Sequence, residues 1–106
     1  INGRKGQFGQ VNYSAAKAGM HGLTMALAQE TATKGITVNT VSPGYIATDM
    51  IMKIPEKVRE SIRETIPVKR YGKPEEIGRL VAYLAHEESG FITGANIDIN
   101  GGQFMG

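Results

Sequence analysis

The chain has 106 residues, 41% of them hydrophobic and 21% charged, with a formal net charge of +2. That is the composition of a globular chain rather than a disordered tail. A charge so small, with no basic run longer than the pair Lys69-Arg70, argues against a nucleic-acid partner. There is no cysteine, which removes thiol chemistry and disulfides, and no apolar run of about 18 residues, so no membrane span is expected.

The chain opens on Ile1-Asn2-Gly3 rather than Met and shows no signal-peptide pattern. With no repeat and no low-complexity linker, residues 1–106 read as one unit cut from a longer polypeptide. Residues 1 to 11 are expected to form a loop, punctuated by Gly3, Gly6 and Gly9. Gln7, Phe8 and Gln10 stand just before a helix, where a loop is a natural place for substrate contacts.

The helix is expected from Asn12 or Tyr13 to about Thr33, stopped by Lys34-Gly35. In its first turn stands Tyr13-x-x-x-Lys17, a spacing that puts both residues on one helical face a turn apart. A phenol has an ordinary pKa of about 10 and is a poor acid or base near neutrality. A neighbouring ammonium favours the phenolate, lowers that value and fits the phenol for proton transfer in carbonyl or alcohol chemistry. The pattern is weak alone, since a boundary tyrosine beside a surface lysine matches it equally well. Small residues fill the same half of the helix, and Gly19 and Gly22 each cost about 1 kcal/mol relative to alanine, which suggests close approach of another backbone or a cofactor. Met20, Leu23 and Leu27 follow helical spacing and read as core.

Ile36 to Ser42 is β-branched almost throughout and is expected to be a strand, ended by Pro43-Gly44. Helix, glycine turn, strand and Pro-Gly loop make the half-unit of an α/β parallel sheet, in which ligands bind at the carboxyl ends of the strands. The segment from Pro43 to Met50 lies at such an end, where Gly44 permits close approach, Thr48 offers a hydroxyl and Tyr45 a polar aromatic wall. Ile51 to Ile66 reads as one or two short helices with a start at Pro55-Glu56-Lys57, and the flexible apolar Met50, Ile51, Met52 and Ile54 fit either a lid over a ligand or plain core packing. Lys73-Pro74-Glu75-Glu76 opens another helix that runs to about His86, with Ile77, Leu80, Val81 and Leu84 on one face. Phe91 to Gly94 is a turn, Ala95 to Ile99 a strand, and Asn100-Gly101-Gly102 ends it.

Tyr13-x-x-x-Lys17, the small-residue helix, Gly35-Ile36-Thr37-Val38-Asn39, Pro43-Gly44-x-x-x-Thr48, Pro74-Glu75-Glu76 and the closing Ile92-Thr93-Gly94 and Asn100-Gly101-Gly102 occur in one register. Together they resemble the C-terminal half of a short-chain dehydrogenase/reductase. The resemblance implies the C-terminal portion of a Rossmann-like, doubly wound parallel sheet with flanking helices. More narrowly, the stretches from Gly3 to Ser14, from Ser42 to Met50 and from Ile66 to Arg70 are similar to the NADPH-dependent acetoacetyl-CoA reductases of polyhydroxybutyrate synthesis. The 3-oxoacyl-carrier-protein reductases of fatty-acid synthesis are related alternatives.

The resemblance carries roles with it. Tyr13 is expected to donate the proton to the ketone oxygen, and Lys17 to lower the Tyr13 pKa and bind the nicotinamide ribose. Pro43, Gly44, Ile46 and Thr48 are expected to line the nicotinamide end of NADPH. Gln7, Phe8, Gln10, Gly44 and Tyr45 are expected to contact the acyl-CoA substrate. A cytoplasmic homotetramer with no metal and no membrane or nucleic-acid partner is implied for the full-length form. The family's glycine-rich dinucleotide loop and the residues that select NADPH over NADH have no counterpart here, and the position of its catalytic serine falls immediately before Ile1. A reading from a different class is therefore also open, in which these residues alone form a non-catalytic α/β module.

Overall fold

The structure is a computed structural model that describes residues 2–103, with side chains described for 14–103. The chain divides into two compact units, one made of Ile1–Thr40 and Gly90–Asn96, the other of Val41–Ser89 and Ile97–Gly106.

The first unit is built on helix α1, Asn2–Thr31. A 3₁₀ turn, Ala32–Lys34, follows, and Gly35 closes it in the left-handed conformation with its N–H on the Ala32 carbonyl. The end therefore falls where Lys34-Gly35 predicts it. The beginning does not, because the expected loop from Ile1 to Val11 is helical backbone from Asn2 onward. Once a helix is nucleated, each added residue gains a hydrogen bond without the nucleation cost, and that gain competes with a glycine penalty of about 1 kcal/mol.

The buried face of α1 carries Thr24 and Ala28, at 4% and 3% exposure. Both are small, which lets neighbouring backbone come close. The Thr24 hydroxyl donates to the Met20 carbonyl at 2.8 Å, so in its short contact with Thr40 the Thr40 hydroxyl is the donor. Gly94 lies against Ala28. Met20, Leu23 and Leu27, expected in the core, are instead 53%, 55% and 40% exposed, left on the solvated side of the Thr24–Ala28 contact row. Nor is the close approach expected at Gly19 and Gly22 made by this chain, for no described atom lies within 4 Å of where a Cβ would stand.

The strand expected from Ile36 is shorter than predicted: β1 is Thr40–Pro43. The residues before it find side-chain partners instead of a ladder. Val38 N–H donates to Thr93 Oγ1 at 3.0 Å, and the Val38 carbonyl accepts from Gly94 N–H at 2.7 Å. The Asn39 carboxamide donates to the Ile92 carbonyl and accepts from Ala95 N–H, both at 3.0 Å. One amide side chain thus does the work of a strand neighbour for two residues of the 92–95 segment. Thr40 N–H then donates to the Ala95 carbonyl at 2.9 Å.

The second unit holds most of the two-stranded sheet formed by β1 and β2, Asn96–Ile99. The strands run parallel, and Gly44 N–H closes the pair on the Ile99 carbonyl at 3.0 Å. This is the partial α/β architecture that the sequence predicts. Between the strands lie α2, Asp49–Met52, α3, Glu56–Thr65, and α4, Pro74–Ala85. Both longer helices start at their prolines, Pro55 as the N-cap of α3 and Pro74 at the first turn of α4, where a missing N–H costs nothing. His86 ends α4, and its Nδ1 accepts the Glu88 N–H at 3.0 Å. Ile66, the last of the four-residue series Val58, Ile62, Ile66, is 2% exposed and anchors this unit's apolar packing, whereas Val58 is 48% exposed.

Candidate active site

At the carboxyl end of β1 the chain passes through Gly44, Tyr45, Ile46, Ala47 and Thr48 into α2. Gly44 packs against the residue that follows β2. A Cβ on Gly44 would stand 2.7 Å from Asn100 Cβ and 2.9 Å from its Cα, closer than side chains approach, so glycine is required there for a steric reason internal to the protein. Ile46 forms an isolated parallel bridge with Gly72. Gly72 N–H donates to the Tyr45 carbonyl at 3.0 Å, and Ala47 N–H to the Gly72 carbonyl at 2.9 Å. Thr48 caps α2, its Oγ1 accepting the Ile51 N–H at 3.4 Å, which leaves the hydroxyl proton to donate elsewhere. Pro43, Tyr45 and Thr48 are exposed, and Gly44 and Ile46 half-buried.

An open pocket adjoins this loop, lined among others by Tyr45, Ile46, Val68, Arg70, Glu76 and Asn100. Its charged members form one bidentate pair: Arg70 Nη1 and Nη2 donate to Glu76 Oε1 and Oε2 at 2.7 and 3.1 Å. The same carboxylate accepts the Lys73 N–H at 2.9 Å at the start of α4. The Arg70 hydrogen bonds first, and the Lys73 N–H second, hold the Glu76 carboxyl down at about 2, and Glu76 raises Arg70 above its already high value. Because the folded pKa of Glu76 lies below its ordinary value of 4.5, its stabilising contribution is complete above that pH and fades as pH falls toward about 2. The difference in melting temperature between the wild type and Glu76→Gln should therefore shrink from pH 5 to pH 2. A constant difference across that range would contradict the assignment.

Tyr13 and Lys17 belong to the first unit. Both positions lie on the uninterrupted α1, one turn apart, and Lys17 is half-buried. The side chains of Gln7, Phe8, Gln10 and Tyr13 lie outside the described residues. Among the predicted positions, the structure brings Gly44, Tyr45 and Ile46 together with Gly72 and Asn100. Sequence reasoning missed Gly72, Asn100 and the Arg70–Glu76 pair as parts of these surroundings. Their spacings follow no helical or strand rule; only Glu76, at the third position of α4, carries a local signal, that of a capping acid. Among the described residues no cluster of His, Asp or Glu could hold a metal, and no helix is long and apolar enough to cross a membrane.

Residues 1–103 match a family model described as Enoyl-(Acyl carrier protein) reductase. The whole chain is 67% identical to an acetoacetyl-CoA reductase of Cupriavidus necator, covering 43% of that protein. Over 99% of its length it is 60% identical to an acetoacetyl-CoA reductase of Allochromatium vinosum, of which it covers 43%. Over 99% of its length it is also 50% identical to a 3-oxoacyl-(acyl-carrier-protein) reductase of Rickettsia conorii, of which it covers 44%. The chain thus spans less than half the length of these curated relatives. With that match along nearly all its residues, and with a parallel strand pair that opens at its carboxyl end onto a glycine-hinged loop, the chain belongs to the short-chain dehydrogenase/reductase family.

Proposed function

We propose that these residues form the catalytic C-terminal half of an NADPH-dependent oxidoreductase that converts acetoacetyl-CoA to 3-hydroxybutyryl-CoA. The observation that carries the reading is the 67% identity along the entire chain to a protein named acetoacetyl-CoA reductase. The local geometry supports it: positions 13 and 17 share one face of a continuous helix, and the 44–48 loop lies at the carboxyl end of a parallel strand, where nucleotides bind in such sheets.

The residues fit a nicotinamide on the grounds of the exposed Pro43 and Thr48, the spare proton of the Thr48 hydroxyl and the half-buried Ile46. Pro43, Gly44, Ile46 and Thr48 hold that end of the cofactor. NADPH, when bound, supplies the hydride that reaches the ketone carbon. Tyr13 gives its phenolic proton to the ketone oxygen, so hydride plus proton convert C=O to CH–OH with NADP⁺ as the other product. Lys17 lowers the Tyr13 pKa and binds the ribose. Gln7, Phe8, Gln10, Gly44 and Tyr45 contact the acyl-CoA. The complete enzyme works as a cytoplasmic homotetramer.

A second reading, reduction of the carrier-protein thioester, is favoured by the 50% identity to the Rickettsia protein and by the description of the matching family model. Rates of NADPH oxidation by the complete enzyme on the two thioesters separate them. The CoA thioester is expected to turn over faster, and an equal or faster rate on the carrier-protein thioester would favour the second reading.

A further inference from the structure

We infer that the Arg70–Glu76 pair is a positioning device for the Tyr45–Ala47 segment and, through it, for cofactor affinity. The second half of this inference rests on the nicotinamide role proposed for that loop.

The hydrogen bonds form a continuous chain within one unit. Glu76 is fixed from below by the Lys73 N–H at 2.9 Å. It grips the Arg70 guanidinium with both oxygens, a geometry that fixes the plane of the guanidinium as well as its distance. From that plane Arg70 Nη1 also donates to the Tyr71 carbonyl at 3.1 Å. The Tyr71 hydroxyl is tied in turn to the Arg59 carbonyl at 2.7 Å. The peptide so held leads directly into Gly72, whose N–H and carbonyl take the Tyr45 carbonyl and the Ala47 N–H. The seat is tight, for a Cβ on Gly72 would stand 2.8 Å from Ile46 Cδ1.

The Ile46–Gly72 bridge is a single isolated one with two backbone bonds, too little to order a loop by itself. An exposed ion pair adds little to global stability. What a bidentate pair adds here is orientation: it fixes the Tyr71–Gly72 peptide against which 45–47 is set. Both partners act through the loop.

The test uses the complete reductase with Glu76→Gln, which keeps an acceptor oxygen for the Lys73 N–H and removes the charge. Arg70→Gln, which leaves the α4 cap intact, serves as the second variant. Amide hydrogen exchange at Ala47 and Gly72 is expected to rise about tenfold in both variants, while Gly44, bonded to Ile99 across the sheet, is unchanged. The dissociation constant for NADPH should rise about three- to tenfold with kcat altered less than about twofold, the signature of lost binding rather than lost chemistry. Unchanged exchange at Ala47 and Gly72 would overturn the inference, as would a uniform rise that includes Gly44, which would mean a general loss of stability. A selective rise in the variants with no change in the dissociation constant for NADPH would overturn the link to cofactor affinity. A selective rise in the variants of a reductase whose wild type binds no NADPH would uphold the positioning role and sink the nucleotide-binding reading instead.

Discussion

Replacing Tyr13 by phenylalanine in the complete reductase should lower kcat about 10²–10⁴-fold, the range that a positioned general acid contributes. NADPH binding should survive within about twofold, since the substitution removes one hydroxyl and keeps the ring. Tyr13 and Lys17 are one turn apart on a helix that continues unbroken through both. A phenol with its ordinary pKa of about 10 gives up a proton too reluctantly at neutral pH, and an ammonium one turn away stabilises the phenolate left behind. Phenylalanine has no proton to give, so hydride transfer would leave an unprotonated alkoxide. Steady-state kinetics together with a fluorescence titration of NADPH checks this. Loss of cofactor binding along with activity would mean that Tyr13 is structural.

Gly44→Ala is expected to be costly although it adds only one methyl group. The new Cβ would meet Asn100 Cβ at 2.7 Å and Cα at 2.9 Å, and the second of these is backbone that cannot rotate away. Either the carboxyl ends of β1 and β2 separate or the loop moves. Separation would strain the Gly44 N–H bond to the Ile99 carbonyl. Overpacking of this kind costs about 1–3 kcal/mol. Because the loop it displaces is the proposed nicotinamide seat, the KM for NADPH should rise with the loss of stability. Thermal unfolding and cofactor kinetics on the same variant check both effects, and an alanine variant of unchanged stability and KM would show that the strand ends yield freely.

The parts of the fold that obey local rules were legible in the sequence. Pro55 and Pro74 mark the starts of α3 and α4, and Gly35 marks the close of the turn after α1. The parallel pair of β1 and β2 follows from a β-branched stretch and from the alternating Ile97 and Ile99, each ended by a turn with glycine. Several of the failures depended on partners distant in sequence. Residues 36–39 have the composition of a strand, but Val38 and Asn39 bond to Thr93, Gly94, Ile92 and Ala95 largely through side chains, so the ladder begins only at Thr40. Met20, Leu23 and Leu27 have core spacing, yet α1 is buried at Thr24 and Ala28. Gly3, Gly6 and Gly9 signal a loop, but helix propagation carries α1 through them. At the candidate site, glycine at position 44 was legible as a hinge, whereas its steric reason, Asn100, lies more than fifty residues away and follows no periodicity. The Arg70–Glu76 pair, only six residues apart, was hidden because it is set by the irregular turn between α3 and α4 rather than by helical or strand spacing.

The most direct measurement of the central claim follows NADPH absorbance and acyl-CoA products together after acetoacetyl-CoA is added to the complete reductase. One NADPH consumed for each 3-hydroxybutyryl-CoA formed, with both abolished in Tyr13→Phe, is the result expected of a hydride acceptor protonated by Tyr13. No NADPH consumption by the wild type, or undiminished turnover in the phenylalanine variant, would contradict it.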